Sequence, residues 1–526
     1  MDNEILKFCL EKGCLLDKEI LELLSQIDDI ELAKELVNKF HLVLNEKFLT
    51  KTLFSKNMNK IKHVFEDYES DKYKKTIERL CINLGFNLEV TKERIEKRED
   101  KKEVKKPTEN NLRISRLSSF DEKKITVEDF VKYFRTRFNS MKNLLQERGE
   151  LNNLISINKL SSNKLSSIIG IVFSKRITKN KNILIEIEDL TGKIPVLVTQ
   201  NKPEIFEKAK EIILDEVIAI RGAPSGTSEV FFANDIFFPD SRLFEKKKSK
   251  IDESIAFISD IHVGSNKFLE NNFLNFIKWL NGDMGDEQQK KEALKIKFLF
   301  IVGDSVDGVG IFPGQENLLS IKDIKEQYVK LSELLKLIRK DIKIVICPGQ
   351  HDAVRVAEPQ PVIDPFFGEA LYSLPNLYFA TNPSTIEILS GDELFNILIY
   401  HGASMHSFIE QIDELRFKGG YNHPAQIVKY LLKKRHLAPT HSAVTYIPYA
   451  HEDFLMIEKV PDVIVTGDLH RPELETYNEV QIICSSCWQS ITPFEEKVGH
   501  IPDPCKVPLL NLKTRQIKIL DFSDAE

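Results

Sequence analysis

The chain reads as a multidomain protein of α/β plus β class, with a helical module ahead of a five-stranded barrel and an α/β sandwich. Three observations predict this. A length of 526 residues exceeds what one core organises, at roughly 150 residues per domain. Short alternating runs rich in β-branched residues crowd positions 166–236, and from residue 254 continuous apolar runs alternate with helical stretches.

From residue 1 to about 90 the apolar positions recur at helical spacing, as in Ile20, Leu21, Leu23 and Leu24, then Ile30, Leu32, Ala33, Leu36 and Val37. No cluster there can carry chemistry, so an interaction module is expected. Residues 91–125 are dominated by Lys, Glu, Arg, Asn and Ser with almost nothing to bury, which predicts a flexible charged linker. Thr126-Val-Glu-Asp starts an amphipathic helix over 126–150, whose stripe is Phe130, Tyr133, Phe134, Phe138, Met141 and Leu145 and which should pack on the domain that follows. Over 151–242 the runs 168–173, 183–188, 194–198, 217–221 and 230–236 predict strands. A helix over 203–213 separates the third from the fourth, the layout of an OB-type barrel. Single-strand binding by such a barrel needs stacking aromatics, and Phe231 and Phe232 are the obvious ones, so a docking barrel is the better reading. Over 251–526 the runs 255–259, 298–302, 342–347, 395–400, 463–466 and 480–484 predict buried strands of an α/β domain.

Composition excludes several classes. No apolar run approaches the roughly 20 residues that span a bilayer, and the amino terminus lacks a secretory pattern, so an intracellular protein without a membrane role is expected. Seven cysteines, an odd and scattered set, do not form a disulfide framework, and the pair Cys484 and Cys487 lacks a second pair for zinc. A net charge of −6 leaves no overall field to draw nucleic acid. The basic runs Lys246 to Lys250, Lys97 to Lys106 and Lys433 to Arg435 read as solvated faces or linker.

The chemistry sits at the strand ends. In order they carry Asp260 and His262; Gly303, Asp304 and Asp307; Gln350, His351 and Asp352; His401; then Asp468 and His470. Carboxylates and imidazoles meeting in one crevice repel and desolvate at high cost unless cations neutralise them. Two divalent cations roughly 3.5–4 Å apart, bridged by a carboxylate, meet that need and suit phosphoester hydrolysis.

D-x-H, G-D-x-x-D, G-Q-H-D, H-G and G-D-x-H in this order resemble the motif series of the calcineurin-like metallophosphoesterases. The resemblance implies a first cation on Asp260, His262, bridging Asp304 and His470, and a second on Asp304, Gln350, His401 and Asp468, with Mn²⁺ or Mg²⁺ the expected ions. It implies His351 as the acid that protonates the leaving oxygen, Asp352 as the residue that orients its ring, and in-line attack by hydroxide. Gly303 and Asp307 would support the loop. Gln350 replaces the family's Asn and Asp468 its His, and both changes fall on the second cation; the anionic oxygen of Asp468 favours hard ions over Zn²⁺. Lone histidines His406, His423 and His441 read as structural.

Residues that no phosphatase needs narrow the resemblance. Gly308-Val-Gly-Ile-Phe-Pro-Gly314, Asp323 to Tyr328, Arg435 to Pro439, Pro461-Asp462 and Trp488-Gln489 are similar to the small subunits of replicative DNA polymerases. With the barrel and helical module ahead, the whole chain resembles the archaeal family D small subunits. That implies a metal-dependent 3′-to-5′ exodeoxyribonuclease on single-stranded or mismatched DNA ends, paired with a large polymerising subunit in the cell interior. Two alternatives stand beside it: a structural subunit with a weakened site, and a free-standing metallophosphatase, which leaves the barrel and module unexplained.

Overall fold

A computed structural model gives the fold, and it describes residues 2–17, 20–21, 24, 30–44, 48–50, 53, 111–115, 124–226 and 229–523. The chain forms two compact units, residues 1–109 and 110–526. In the first, helices Asp2–Glu11 and Ile30–Leu44 bury Ile5, Cys9, Ala33, Leu36, Val37 and Phe40 in one core, and Leu15–Leu16 pairs in parallel with Phe48–Leu49. The helical spacing read over residues 54–90 and the basic run at 97–106 lie outside the described residues.

In the second unit the apolar runs divide into two six-stranded sheets. One has the order 377–379, 343–347, 296–302, 254–258, 506–511, 517–521; the other 473–477, 480–484, 463–466, 393–399, 384–390, 112–114. Side chains alternate between the faces of a strand, so each run feeds two cores. Ile255, Phe257, Phe298, Phe300 and Val345 meet Ile386, Ile397, Ile399, Val463 and Val465 between the sheets. Ala256, Ile258, Leu299 and Ile301 face the helices Glu270–Asn281 and Ile324–Lys336. Leu398, Ile464 and Ile482 face Met405–Gln411 and Pro424–Lys434. Burial on both faces is why these strands are apolar throughout.

The segment expected to be linker is partly structured. Leu112–Ile114 adds an edge strand, antiparallel to Ser384–Ser390, and Leu112 enters the inter-sheet core. Three residues with one buried side chain leave no periodic signal.

The barrel closes from Ser166–Ile177, Ile183–Asp189, Gly192–Val198, Val217–Pro224 and Phe231–Phe237, with the fifth strand lying between the third and fourth. Its helix is Pro203–Lys210, shorter than the sequence suggests. Of the two candidate stacking rings, Phe231 fills the barrel core and Phe232 is 43% exposed. Helix Val127–Gln146 starts at Thr126, whose backbone N–H and hydroxyl both donate to Asp129 Oδ2, at 2.9 and 2.8 Å. Its stripe is divided: Phe138, Met141 and Leu145 pack on barrel residues Ile169, Val217 and Ala219, whereas Tyr133 enters the helical layer of the second sheet.

One buried network fastens this helix. Arg137 Nε donates to Asp453 Oδ2 at 2.7 Å and Nη1 to the Pro439 carbonyl at 2.5 Å, while Tyr133 Oη donates to Asp453 Oδ1 at 2.7 Å. His436 Nε2 lies 2.9 Å from Asp453 Oδ2, and Arg435 Nε donates to the Ile457 carbonyl at 2.6 Å. The run Arg435 to Pro439, which no phosphatase needs, is therefore part of the seat for a helix that joins barrel and sandwich. The basic runs divide: Lys246, Lys248 and Lys250 are exposed, as a solvated face should be, whereas Lys247 pairs with buried Asp462 at 3.2 Å, Lys434 with Glu216 at 2.8 Å in the interior, and Lys433 with Glu211. Cys9, Cys14, Cys347, Cys484, Cys487 and Cys505 are free and buried.

Candidate metal centre

Asp260 and His262 follow strand Ser254–Ile258; Gly303, Asp304 and Asp307 follow Ile296–Val302; Gln350, His351 and Asp352 follow Lys343–Cys347. From the other sheet, His401 follows Glu393–Ile399, and Asp468 and His470 follow Val463–Thr466. Within each sheet these strands run parallel, so their ends face one crevice. Asp260, His262, Asp304, Asp468 and His470 all carry positive φ, at 50°, 53°, 47°, 66° and 51°. Such backbone costs on the order of 1 kcal/mol or more per residue and persists where the surroundings over-determine it, chiefly at functional sites.

The side chains converge. Asp260 Oδ1 lies 3.4 Å from His470 Nε2, 3.9 Å from His401 Nε2 and 4.0 Å from His262 Nε2. His401 Nε2 lies 3.2 Å from Asp304 Oδ2 and 3.8 Å from Asp468 Oδ1. Asp260 Oδ1, His401 Nε2, Gln350 Oε1 and Asp468 Oδ2 are buried without a hydrogen-bond partner. Orphaned buried polar atoms facing one another are costly unless something binds between them, and oxygen and imidazole donors fit a divalent cation. Three groups have ligand atoms within 4.8 Å of one another: Asp260, His262 and His470; Asp260, Asp304 and His401; and His262, Asp307 and His351.

Loops hold these atoms by contacts too close for larger residues. A Cβ on Gly303 would fall 2.1 Å from His401 Nδ1, and one on Gly349 2.1 Å from Asp304 Oδ1. The His351 backbone N–H donates to Asp304 Oδ1 at 2.8 Å, and His401 Nδ1 lies 2.9 Å from the Val302 carbonyl. Asp307 Oδ1 orients His262 through Nδ1 at 3.1 Å and accepts from Gln489 Nε2 at 3.1 Å. Gln327 clasps Gly308, accepting from its N–H at 2.9 Å and donating to its carbonyl at 3.1 Å. Trp488, buried against Phe273 and Phe276, donates its backbone N–H to the Asp260 carbonyl at 2.9 Å. The polymerase-like residues around 308, 327 and 488 are thus the scaffolding of the crevice.

The expected role of Asp352 is overturned. The His351 ring is oriented by the Asp307 carbonyl, 2.7 Å from Nδ1. Adjacent residues in this tight loop point to opposite sides, and the Asp352 carboxylate accepts from Ser305 Oγ at 2.6 Å, Ser305 N–H at 3.2 Å, Gly349 N–H at 3.0 Å and Tyr328 Oη at 3.1 Å. Asp352 locks the loop rather than the imidazole. Gln350 reaches the crevice, but its Nε2 donates to Asp468 Oδ1 at 3.1 Å.

Two participants carried no motif. Glu495 Oε1 lies 2.8 Å from His470 Nδ1 and sets that ring from the short helix Pro493–Val498. His406, read as structural, stands with Nε2 3.1 Å from Asp468 Oδ2. His423 and His441 lie elsewhere, against Glu473 and Tyr446. The crevice encloses about 510 Å³ and is lined also by Lys267, Phe312, Tyr421 and His500.

The electrostatics state what the site lacks. Burial pulls the His401 imidazole down, yet Asp304, Asp260 and Asp468 around it push it well above the usual histidine range. Burial raises Asp304, but the imidazoles of His401, His351 and His262 hold its carboxyl far below its usual range. The carboxylates call for positive charge, which imidazole protons supply when no cation is bound.

Comparisons with known sequences agree on one family. The family of B subunits of DNA polymerases alpha and epsilon matches residues 255–475. A DNA polymerase II small subunit of Methanothermobacter thermautotrophicus is 41% identical over 398 residues, 76% of this chain and 80% of that relative. That of Pyrococcus furiosus is 37% identical over 408 residues, 76% of this chain and 65% of that longer relative. An archaeal phosphodiesterase of solved structure is similar over 51% of this chain and 98% of its own, at 13% identity and a TM-score of 0.25, too slight a likeness to bear on chemistry.

Proposed function

The chain belongs to the DNA polymerase II small-subunit family, and on that premise we propose that its crevice is a two-cation phosphodiesterase that removes nucleotides from DNA 3′ ends beside a large polymerising subunit. The observation that carries this reading is the crevice of Asp260, His401 and Gln350, whose buried ligand atoms Oδ1, Nε2 and Oε1 make no hydrogen bond among the described residues. We read the two sheets with their helical layers as a calcineurin-like sandwich and the barrel as OB-type. The first cation falls to Asp260, His262, Asp304 and His470, the second to Asp304, Gln350, His401 and Asp468. Oxygen-rich donors point to Mn²⁺ or Mg²⁺. Bound cations would neutralise the carboxylates and activate water for in-line attack on phosphorus.

The chain's own residues do the rest. His351, fixed through Nδ1 on the Asp307 carbonyl, keeps Nε2 for the crevice and delivers a proton to the leaving 3′ oxygen. Asp307 and Glu495 hold the His262 and His470 rings so that their Nε2 atoms face Asp260. Lys267 and the rings of Phe312 and Tyr421 line the space where a strand end would enter.

One observation favours a second reading, a structural subunit with a silent second site: two of that site's side chains engage each other, Gln350 Nε2 donating to Asp468 Oδ1 at 3.1 Å. The two are separated with purified protein, alone and with its large subunit, on a labelled single strand in Mn²⁺. Nucleotide release that disappears in Asp304→Ala and His351→Ala supports the exonuclease. Release no greater than in those variants supports the silent site.

A further inference from the structure

We infer that His406 is the positioning residue that holds Asp468 toward the second cation, so that the imidazole this motif series has at position 468 is supplied here from position 406. The inference rests on the two-cation reading above. Asp468 puts a third carboxylate beside Asp260 and Asp304 and removes a neutral nitrogen, a change that by itself would splay the side chain away from its fellow anions. The structure shows what opposes that. Asp468 Oδ2 lies 3.1 Å from His406 Nε2, while Oδ1 faces inward, 3.8 Å from His401 Nε2 and 3.1 Å from Gln350 Nε2.

The two oxygens therefore divide their tasks. The outer one meets the His406 imidazole at ion-pair distance without an aligned hydrogen bond, and the inner one is presented to the junction of Asp304 and His401. The backbone cannot do this alone: Asp468 sits at a φ of 66°, with its N–H donating to Asp260 Oδ2 at 3.1 Å. Among the described residues, His401 and His406 are the imidazoles within reach of this carboxylate, and His401 lies nearer to Asp304, at 3.2 Å, than to Asp468, at 3.8 Å. His406 is itself seated, its ring 5.3 Å from Tyr421, which stands edge-on to His500 at 5.7 Å. Carboxylates that ligate metals are held by such outer partners, and removing one typically costs 10–100-fold in metal affinity. Sequence order hid the pair, because the two residues are 62 positions apart and His406 carries no motif.

The test is calorimetric titration of the metal-free full chain with Mn²⁺, with bound metal counted after dialysis and coupled Mn²⁺ pairs read by electron paramagnetic resonance. The wild type should bind two ions. His406→Ala should keep the tighter ion and weaken the other by ~10–100-fold, with loss of the coupled-pair signal. The His406 side chain is 49% exposed, so this variant should melt with the wild type when metal-free. Unchanged second-ion affinity in His406→Ala, or a coupled-pair signal that persists in it, overturns the role of His406. A wild type that binds fewer than two ions overturns the two-cation premise, and the inference with it.

Discussion

Replacing Asp453 with Asn should unseat the helix that joins barrel and sandwich. Asn keeps the shape of Asp but removes the charge opposite Arg137, a guanidinium whose side chain is 1% exposed and whose Nε lies 2.7 Å from the carboxylate. Burial lowers the proton affinity of Arg137, and Asp453 and then Tyr133 push it above its usual range; with Asp453 neutralised the guanidinium still keeps its proton at neutral pH, because arginine does not deprotonate in proteins. Stranding one member of a buried ion pair costs about 3–5 kcal/mol. The same carboxylate also accepts from Tyr133 Oη at 2.7 Å and the Leu455 N–H at 3.1 Å, so the upper half of that range applies. Unfolding entropy of about 2 cal/mol/K per residue, over the roughly 400 residues of the second unit, converts this to a fall of about 5–6 °C in scanning calorimetry. Arg137→Met added to Asp453→Asn removes the stranded charge and should recover much of the loss. A fall under about 1 °C, or a double variant that melts no higher than Asp453→Asn, would refute the assignment of this network as the fastening.

The same network predicts a pH dependence. Burial, then the charge of Arg137, lowers His436 from 6.5 to about 4, and its Nδ1 accepts from the Ala438 N–H at 3.0 Å, so the ring is neutral when folded. The unfolded chain takes up that proton first; stability is whole above pH 6.5 and should drop by up to ~3 kcal/mol as pH falls to 4, a slope in melting temperature that His436→Gln should flatten. Glu495→Gln should weaken the tighter Mn²⁺ ion by ~10–100-fold in calorimetric titration, because it releases the ring of His470; equal affinity would remove Glu495 from the site. Tyr328→Phe leaves the Ala353 N–H, now 2.9 Å from the hydroxyl, without an acceptor and removes one of the four donors to Asp352, and should cost about 1–3 kcal/mol in denaturant titration.

Much of the architecture was legible in the residue order. Runs such as Phe298 to Val302 and Val463 to Thr466 are apolar at every position because both faces of their strands are buried, and short barrel strands announce themselves by β-branched alternation. Motif order likewise gathered Asp260, His262, Asp304, His401 and His470, since a polar residue directly after a buried strand has few places to go except the crevice. Strand pairing was not legible, because it joins residues hundreds of positions apart: nothing local to Leu112–Ile114 says that it borders Ser384–Ser390, and the half-exposed strands Glu473–Tyr477 and Ile517–Asp521 lack a buried stripe. Side-chain direction was the other blind spot. His351 and Asp352 are neighbours in sequence, yet one ring rests on the Asp307 carbonyl while the other carboxylate locks Ser305, Gly349 and Tyr328. Residue types and spacing dictate which groups arrive at the strand ends; which atom faces which, as with His406 on Asp468 or Glu495 on His470, follows from backbone angles and packing that exist once distant loops have closed over one another.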